Sequence, residues 1–351
     1  MRVRKGVAAR ALGVATSAIV VSLVPAGVAH ATPSDAAVDI GSSQIVNSTL
    51  VITGTPADDT IVLAPSTDPT KVVVDLNGTA QLFDPTAIQA VVVDLGNGND
   101  VFTERAGILS GVPLTLDAGR GDDRITIADT NDVVFGGGGD DMINTGRGND
   151  LIFAGNGDDF VDGGVGNDTA FTGQGNDTFQ WDPGDGNDVI DGGEGHADTM
   201  LFNGGAGADT ASLSPNGHAA VFLRQPANIR MDLDNVEQVQ YNALGGTDTT
   251  TVDDMSGTDV RQVNVNVGAN GADGVLDNVI VNGSDQADHV KVSGEASTVK
   301  VDGSQAETTI SGADTSDQLH INTGDGNDKV TVDGTATSLI GVTADLGADQ
   351  H

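Results

Sequence analysis

Between Ala118 and Gln180 an apolar side chain recurs at every ninth residue, at Ile125, Val134, Ile143, Ile152, Val161, Ala170 and Phe179, inside a stretch otherwise rich in glycine and aspartate. Two residues before each of them stands an aspartate: Asp123, Asp132, Asp141, Asp150, Asp159, Asp168 and Asp177. Set out in nines, the stretch reads AGRGDDRIT, IADTNDVVF, GGGGDDMIN, TGRGNDLIF, AGNGDDFVD, GGVGNDTAF and TGQGNDTFQ, with no insertion. Self-similarity at a fixed period marks a stacked repeat architecture. Glycine fills the second and fourth places of every unit except that of Asp132, where Ala128 and Thr130 stand. Glycine there lets the backbone take positive φ and bring carbonyls close together. The first six residues of a unit therefore predict a tight turn, and the last three a short strand whose middle, apolar residue points inward. Two units complete one coil of strand, turn, opposite strand and turn, so alternate units stack. Asp123, Asp141, Asp159 and Asp177 should line one edge and Asp132, Asp150 and Asp168 the other, with adjacent coils about 4.8 Å apart.

The flanks repeat this grammar in worn form. From Val38 to Pro113, runs such as TLVITG, DTIVLA, KVVVDLNG, AVVVDLGNG and GVPLTLDAG alternate apolar strand residues with turn residues, and helical periodicity is missing. Gly54 to Ile61 and Gly96 to Phe102 keep the glycine, aspartate and apolar places. After Gln180 the period drifts. Trp181 and Asp182 form a two-residue insertion ahead of Asp188, and the spacing is restored around Asp209. Ser212 to Val265 loses the glycines and reads as further strands, AAVFLRQ, NIRMDL, VEQVQYNA and RQVNVNV. Looser copies return at Gly283 to Val290, Gly312 to Leu319 and around Asp328. The expected organisation is a leader over 1–31, an N-terminal β-rich flank over 32–117, the repeat block over 118–211 and a C-terminal β-rich solenoid over 212–351.

Composition sharpens this picture. Aromatic residues are 3% of the chain and glycines number 49, so apolar area per residue suits a thin stack better than a broad core. Acidic residues number 51 against 15 basic ones, a formal net charge of -36. Such a chain repels nucleic acid and anionic lipid and attracts cations. Arg2, Arg4, Lys5 and Arg10, the apolar stretch Ala11 to Val24 and the sequence Ala29-His30-Ala31 predict a secretory signal peptide cleaved near Ala31. The apolar run is shorter than the roughly 20 residues of a membrane-spanning helix, and no second one follows. With no cysteine, no disulfide staples the exported chain.

A carboxylate and several turn carbonyls from one coil would face those of the next at a separation that suits a cation. Hard oxygen donors in a flexible cage favour Ca²⁺ over Zn²⁺, which takes His or Cys, and over Mg²⁺, which retains its waters. The units GGGGDDMIN and GGVGNDTAF match G-G-x-G-x-D-x-U-x, and the stretch from Ala118 to about Asp191 resembles the RTX, or haemolysin-type, calcium-binding repeat proteins. The resemblance implies an all-β fold, a right-handed parallel β-roll or β-helix solenoid stabilised by calcium, here with degenerate solenoid flanks. It further implies calcium held by the aspartates and by turn carbonyls. Carried over by position, the aspartates are Asp123, Asp141, Asp150, Asp159, Asp168, Asp177 and Asp188. The glycines are Gly137, Gly139, Gly146, Gly148, Gly155, Gly157, Gly164, Gly166, Gly173 and Gly175. Asp132 is the weak member, because its unit lacks both inner glycines. Many RTX proteins use an uncleaved C-terminal export signal, and the apparent N-terminal leader departs from that pattern.

Catalytic constellations are sparse. The histidines, His30, His196, His218, His289, His320 and His351, form no H-E-x-x-H, no G-x-S-x-G occurs, and there is no thiol nucleophile. Parallel β-helices also host polysaccharide lyases and epimerases, for which Arg224, Arg230, Glu237 and Tyr241 are the candidate residues. Arg120-Gly121-Asp122 spells an adhesion tripeptide inside a repeat that demands glycine and aspartate anyway. Asn47, Asn77 and Asn282 begin glycosylation sequons that are also turn sequences. Trp181, at the insertion, is expected to cap or plug the stack. The expected function is calcium binding by a secreted, non-enzymatic solenoid. The alternatives are a calcium-dependent surface or matrix adhesion protein with a glycan or cell-surface partner, and, further off, an enzyme of the lyase kind.

Overall fold

The computed structural model describes residues 41–268, 271 and 273–347, so the leader expected over 1–31 lies outside the described residues. The repeat strands of one sheet are three residues long, as Met142–Asn144, and those of the other run six residues into the glycines of the next unit, as Val133–Gly138; in each the second, apolar residue is buried between less buried neighbours. Val134, Ile152 and Ala170 lie in register in one sheet, and Ile125, Ile143, Val161 and Phe179 in the other. All seven are at most 2% exposed. Burial of such side chains stabilises by roughly 1.5–3 kcal/mol each, which fixes the register, because a one-residue slip would turn every one of them outward.

The described residues alternate between two sheets of fifteen strands, parallel wherever coil meets coil. One apolar core runs between them from Leu50 to Ile340. The expected all-β solenoid with worn flanks is therefore the observed architecture, and the flanks continue the same two sheets as the repeats.

Among the described residues three of the departures from the nine-residue period share a form, a β-meander spliced into one sheet. Thr210–Asn216, Ala219–Gln225 and Ile229–Asp234 pair antiparallel in series. The last of these lies parallel to Val189–Glu194 and the first parallel to Thr249–Val252, so the sheet continues through the excursion. His289–Glu295, Thr298–Asp302 and Glu307–Ser311 do the same in the opposite sheet, joining Lys329–Val332 to Gln262–Asn266. Near the N-terminal end Thr60–Pro65, Val72–Leu76 and Thr79–Phe83 form a third meander whose last strand is a sheet edge.

The 212–265 segment thus prolongs the stack, with further coils on both sides of it. Trp181 is likewise an interior residue, 1% exposed, with its ring stacked on Phe202 at a centroid distance of 4.0 Å. The N-terminal flank, in which no helix is expected, holds one 3-10 turn at Pro85–Ala87, capped by the Asp84 carboxylate on the Thr86 N–H. Among the described residues no helix is long and apolar enough to cross a membrane.

Candidate metal centre

The turns between strands stack as closely as the strands do. Gly139 has φ +132°, and a Cβ added there would lie 2.1 Å from the Gly121 carbonyl oxygen, so neither the backbone angle nor the space admits a side chain. In the unit of Asp132 the corresponding residue is Thr130, which takes φ 113° without being glycine. The turn survives the substitution because Thr130 Oγ1 donates to Asp132 Oδ1 at 2.6 Å.

The repeated aspartates form two ladders. The backbone N–H of Asp123 donates to Asp141 Oδ1, that of Asp141 to Asp159 and that of Asp159 to Asp177, each at 2.8 Å. On the other edge Asp132 donates to Asp150, Asp150 to Asp168 and Asp168 to Asp188, again at 2.8 Å. The sequence separates these two edges as observed. It does not reveal how far the first one runs. Asp59 donates to Asp100 and Asp100 to Asp123, and at the other end Asp177 donates to Asp198, whose own N–H meets Glu237 Oε2. Asp132 stands on its line like the others, with Oδ1 also accepting the Leu114 N–H.

The residue just before each aspartate makes a second ladder of opposite polarity. Asp140 N–H donates back to Asp122, Asp158 to Asp140 and Asn176 to Asp158, while Asn149 donates to Asn131, Asn167 to Asn149 and Asn187 to Asn167. These outer residues are solvent-exposed, and their carboxylates and amides stitch coil to coil. Asp122 of the Arg120-Gly121-Asp122 tripeptide is one of these rungs.

Nine of the inner aspartates on these two lines have one oxygen to spare. Oδ2 of Asp100, Asp123, Asp132, Asp141, Asp150, Asp159, Asp168, Asp177 and Asp198 is buried and has no hydrogen-bond partner, although the residues themselves are at most 3% exposed. Leaving a buried polar atom unpaired is costly, and leaving a buried charge unpaired costs more. Burial, followed by the neighbouring carboxylates, accordingly pushes these acids up, Asp123 and Asp150 to about 7 and Asp159 and Asp168 to about 8. A hard cation removes the cost, and among the described ion pairs none brings a basic side chain such as Arg120 or Arg147 to these carboxylates.

Four turns solve the same problem internally. Asp59 Oδ2 accepts the Thr55 N–H at 2.5 Å, Asp288 Oδ2 that of Ser284 and Asp317 Oδ2 that of Asp314. Asp209 takes the Gly205 N–H and the Arg224 guanidinium. The unpartnered oxygens are therefore a property of particular turns and not of aspartate in this fold. Among the described residues no three histidine, cysteine, aspartate or glutamate side chains converge. A cation would then be met by one or two carboxylates together with turn carbonyls, an all-oxygen set that fits Ca²⁺ and not Zn²⁺.

The residues considered for lyase chemistry do not converge on an open site. Arg224 is buried against Asp209, Glu237 terminates an aspartate ladder, Tyr241 is 1% exposed, and Arg230 pairs with Asp232 at the surface. Asn77 is a turn residue and Asn282 the last residue of the strand Asn278–Asn282, and their amides bond Asp59 and Asp253.

A family model described as the RTX calcium-binding nonapeptide repeat matches residues 117–152, 145–179 and 184–196, in four copies. The matched segments cover well under half of the chain. No curated protein matches the chain.

Proposed function

We propose that this chain, whose RTX nonapeptide repeats bind Ca²⁺, is a secreted calcium-binding solenoid that completes its folding outside the cell and has no catalytic role. The observation that carries the proposal is the file of buried aspartates, such as Asp141, Asp159 and Asp177, each with Oδ1 committed to the N–H of the preceding coil and Oδ2 unpartnered. Asp123, Asp132, Asp141, Asp150, Asp159, Asp168, Asp177 and Asp188 hold the ions, with carbonyls of the glycine-rich turns between them completing the oxygen set. Asp132 joins this group because its ladder position and its spare oxygen match those of its neighbours.

A fold that stacks carboxylates is self-repelling without cations, and its binding free energy then serves as folding free energy. Extracellular calcium is in the millimolar range that weak, carbonyl-rich modules require. Calorimetric titration of the chain from Thr32 onward tests the reading, with more than three ions expected; fewer than three would sink it.

One observation favours the adhesion reading as a second choice. In a chain with 9 phenylalanines, Phe135, Phe153 and Phe171 form one outward row on a sheet face, rings stacked at 5.1 and 5.2 Å. Pull-down from cell walls with and without chelator separates the two readings, because a calcium buffer retains nothing in either condition.

A further inference from the structure

Beyond the matched repeats a third aspartate line begins. Asp209 N–H donates to Asp248 Oδ1 at 2.7 Å, Asp248 to Asp277 at 2.7 Å and Asp277 to Asp317 at 2.9 Å. The turn before Asp248, from Ala243 to Thr247, lacks the repeat pattern, for Leu244 occupies the second place. It is built like a repeat turn all the same. Leu244 takes φ 71°, and a Cβ on Gly246, φ +117°, would meet the Gly207 carbonyl carbon at 2.6 Å and its oxygen at 2.8 Å. The fourth place of one coil therefore sits on the fourth place of the coil before it, as Gly139 sits on Gly121.

The members of this line differ in what meets Oδ2. At Asp209 it is the Gly205 N–H and the Arg224 guanidinium, whose Nη2 lies 2.8 and 2.9 Å from the two carboxylate oxygens. The pair is enclosed, the Arg224 side chain 11% and that of Asp209 2% exposed. Arg224 is thus a cation that the chain itself supplies. At Asp317 the second oxygen accepts the Asp314 N–H. At Asp248, 2% exposed, Oδ2 has no partner. One coil beyond a turn with a built-in positive charge, then, stands a turn of the same construction, buried to the same degree and with no positive charge of its own. Its donors are a carboxylate and carbonyls, which select a hard divalent ion over a transition metal.

We propose that the turn Ala243–Asp248 is a further calcium site, held by Asp248 Oδ2 and carbonyls of that turn, and that Arg224 plays the calcium's part at Asp209. The proposal rests on the reading that stacked turns with a spare aspartate oxygen hold calcium, and carries it to a turn outside the repeat sequence. The site has its own reporter. Tyr241, the one tyrosine of the chain, is buried beside it, packed on Phe202 and Phe222 at 5.9 and 5.5 Å and within electrostatic reach of Asp248.

The test uses the chain from Thr32 onward in the Trp181→Phe background, where Tyr241 alone sensitises terbium bound in place of calcium. Emission excited through the tyrosine should appear and be displaced by calcium. Asp248→Asn keeps an oxygen for the Asp209 N–H, and it should abolish that emission and remove one ion from the calorimetric count. Asp150→Asn should lower the count while leaving the emission in place. Unchanged emission and an unchanged count in Asp248→Asn would overturn the site while leaving the repeats as calcium ligands. Absence of all calcium binding in the parent chain would instead overturn the reading beneath it. Should Asp248→Asn fail to fold, the parent's own signal decides, since no tyrosine-sensitised emission means no ion at this turn.

Discussion

The backbone N–H of Asp141 donates to Oδ1 of Asp159, 18 residues later, at 2.8 Å, and Asp159 Oδ2 is left buried without a partner. One carboxylate therefore does two jobs, with one oxygen holding the stack together and the other asking for a cation. Asp159→Asn separates them, because the amide oxygen can still accept the Asp141 N–H while the charge is gone. In calcium the variant should lose about 3 kcal/mol or more of stability, the scale for removing one partner of a buried charge pair. In chelator it should be more structured than the parent, since a buried, repelled carboxylate has been neutralised. Chemical denaturation in calcium and circular dichroism in chelator measure the two effects, and a loss of equal size in both conditions would contradict the division of labour.

The same oxygens set opposite pH dependences for the two forms. Burial and neighbouring carboxylates raise Asp159 and Asp168 to about 8, and Asp123, Asp150, Asp188 and Asp198 to about 7. In the unfolded chain these groups titrate near the ordinary carboxylate value of about 3.9. Between about pH 4 and pH 8 the folded, calcium-free chain binds more protons than the unfolded one, so its stability falls as pH rises through that window. Calcium requires the deprotonated carboxylate and competes with the proton. Calcium-free protein should therefore gain β structure on acidification from pH 8 to pH 5, while calcium affinity drops over the same interval. Far-UV circular dichroism and calorimetry across that range check both halves.

Two adjacent glycines in one turn give a contrast with few confounding effects. Gly139→Ala forces a side chain into φ +132° and against the Gly121 carbonyl, whereas a Cβ on Gly138 would find its nearest neighbour, Asn156 Nδ2, at 3.8 Å. Gly139→Ala should cost about 1–3 kcal/mol or more, and Gly138→Ala should be neutral or slightly stabilising. Melting temperatures in saturating calcium decide between them. Equal effects would mean that the turns relax more freely than their stacking implies.

The nine-residue period disclosed the two edges and the inward file from Ile125 to Phe179, because there each coil has one length. The rest of the ladders was hidden by changes of coil length. Asp59 and Asp100 are 41 residues apart, and Asp209 and Asp248 are 39 apart, since each interval contains an antiparallel excursion. The portable signal was an aspartate two residues before an inward apolar residue, as at Asp100 before Phe102 and Asp209 before Ala211. The absence of glycine hid the place of Asp132 on its ladder, because Thr130 adopts the positive φ that glycine would have supplied. The pairing of Asp209 with Arg224 was not legible at all, since it depends on the hairpin register that sets Ala211 opposite Arg224.

That pairing yields the last prediction. Among the described residues Arg224 is the only side chain bonded to both Asp209 oxygens, and its guanidinium also lies 6.0 Å over the ring of Trp181. Arg224→Met keeps much of the apolar stem and removes the charge, which strands a buried carboxylate at the head of the third ladder. The expected loss is about 3–5 kcal/mol, with a smaller loss for Arg224→Lys, whose ammonium retains the charge as a compact point donor. A deficit caused by an absent calcium ion would shrink as calcium is raised. The Arg224→Met deficit should not, because methionine fills the space from which an ion would have to act. Denaturant titrations at low and at saturating calcium measure it, and recovery at high calcium would show that the Asp209 turn accepts a metal after all.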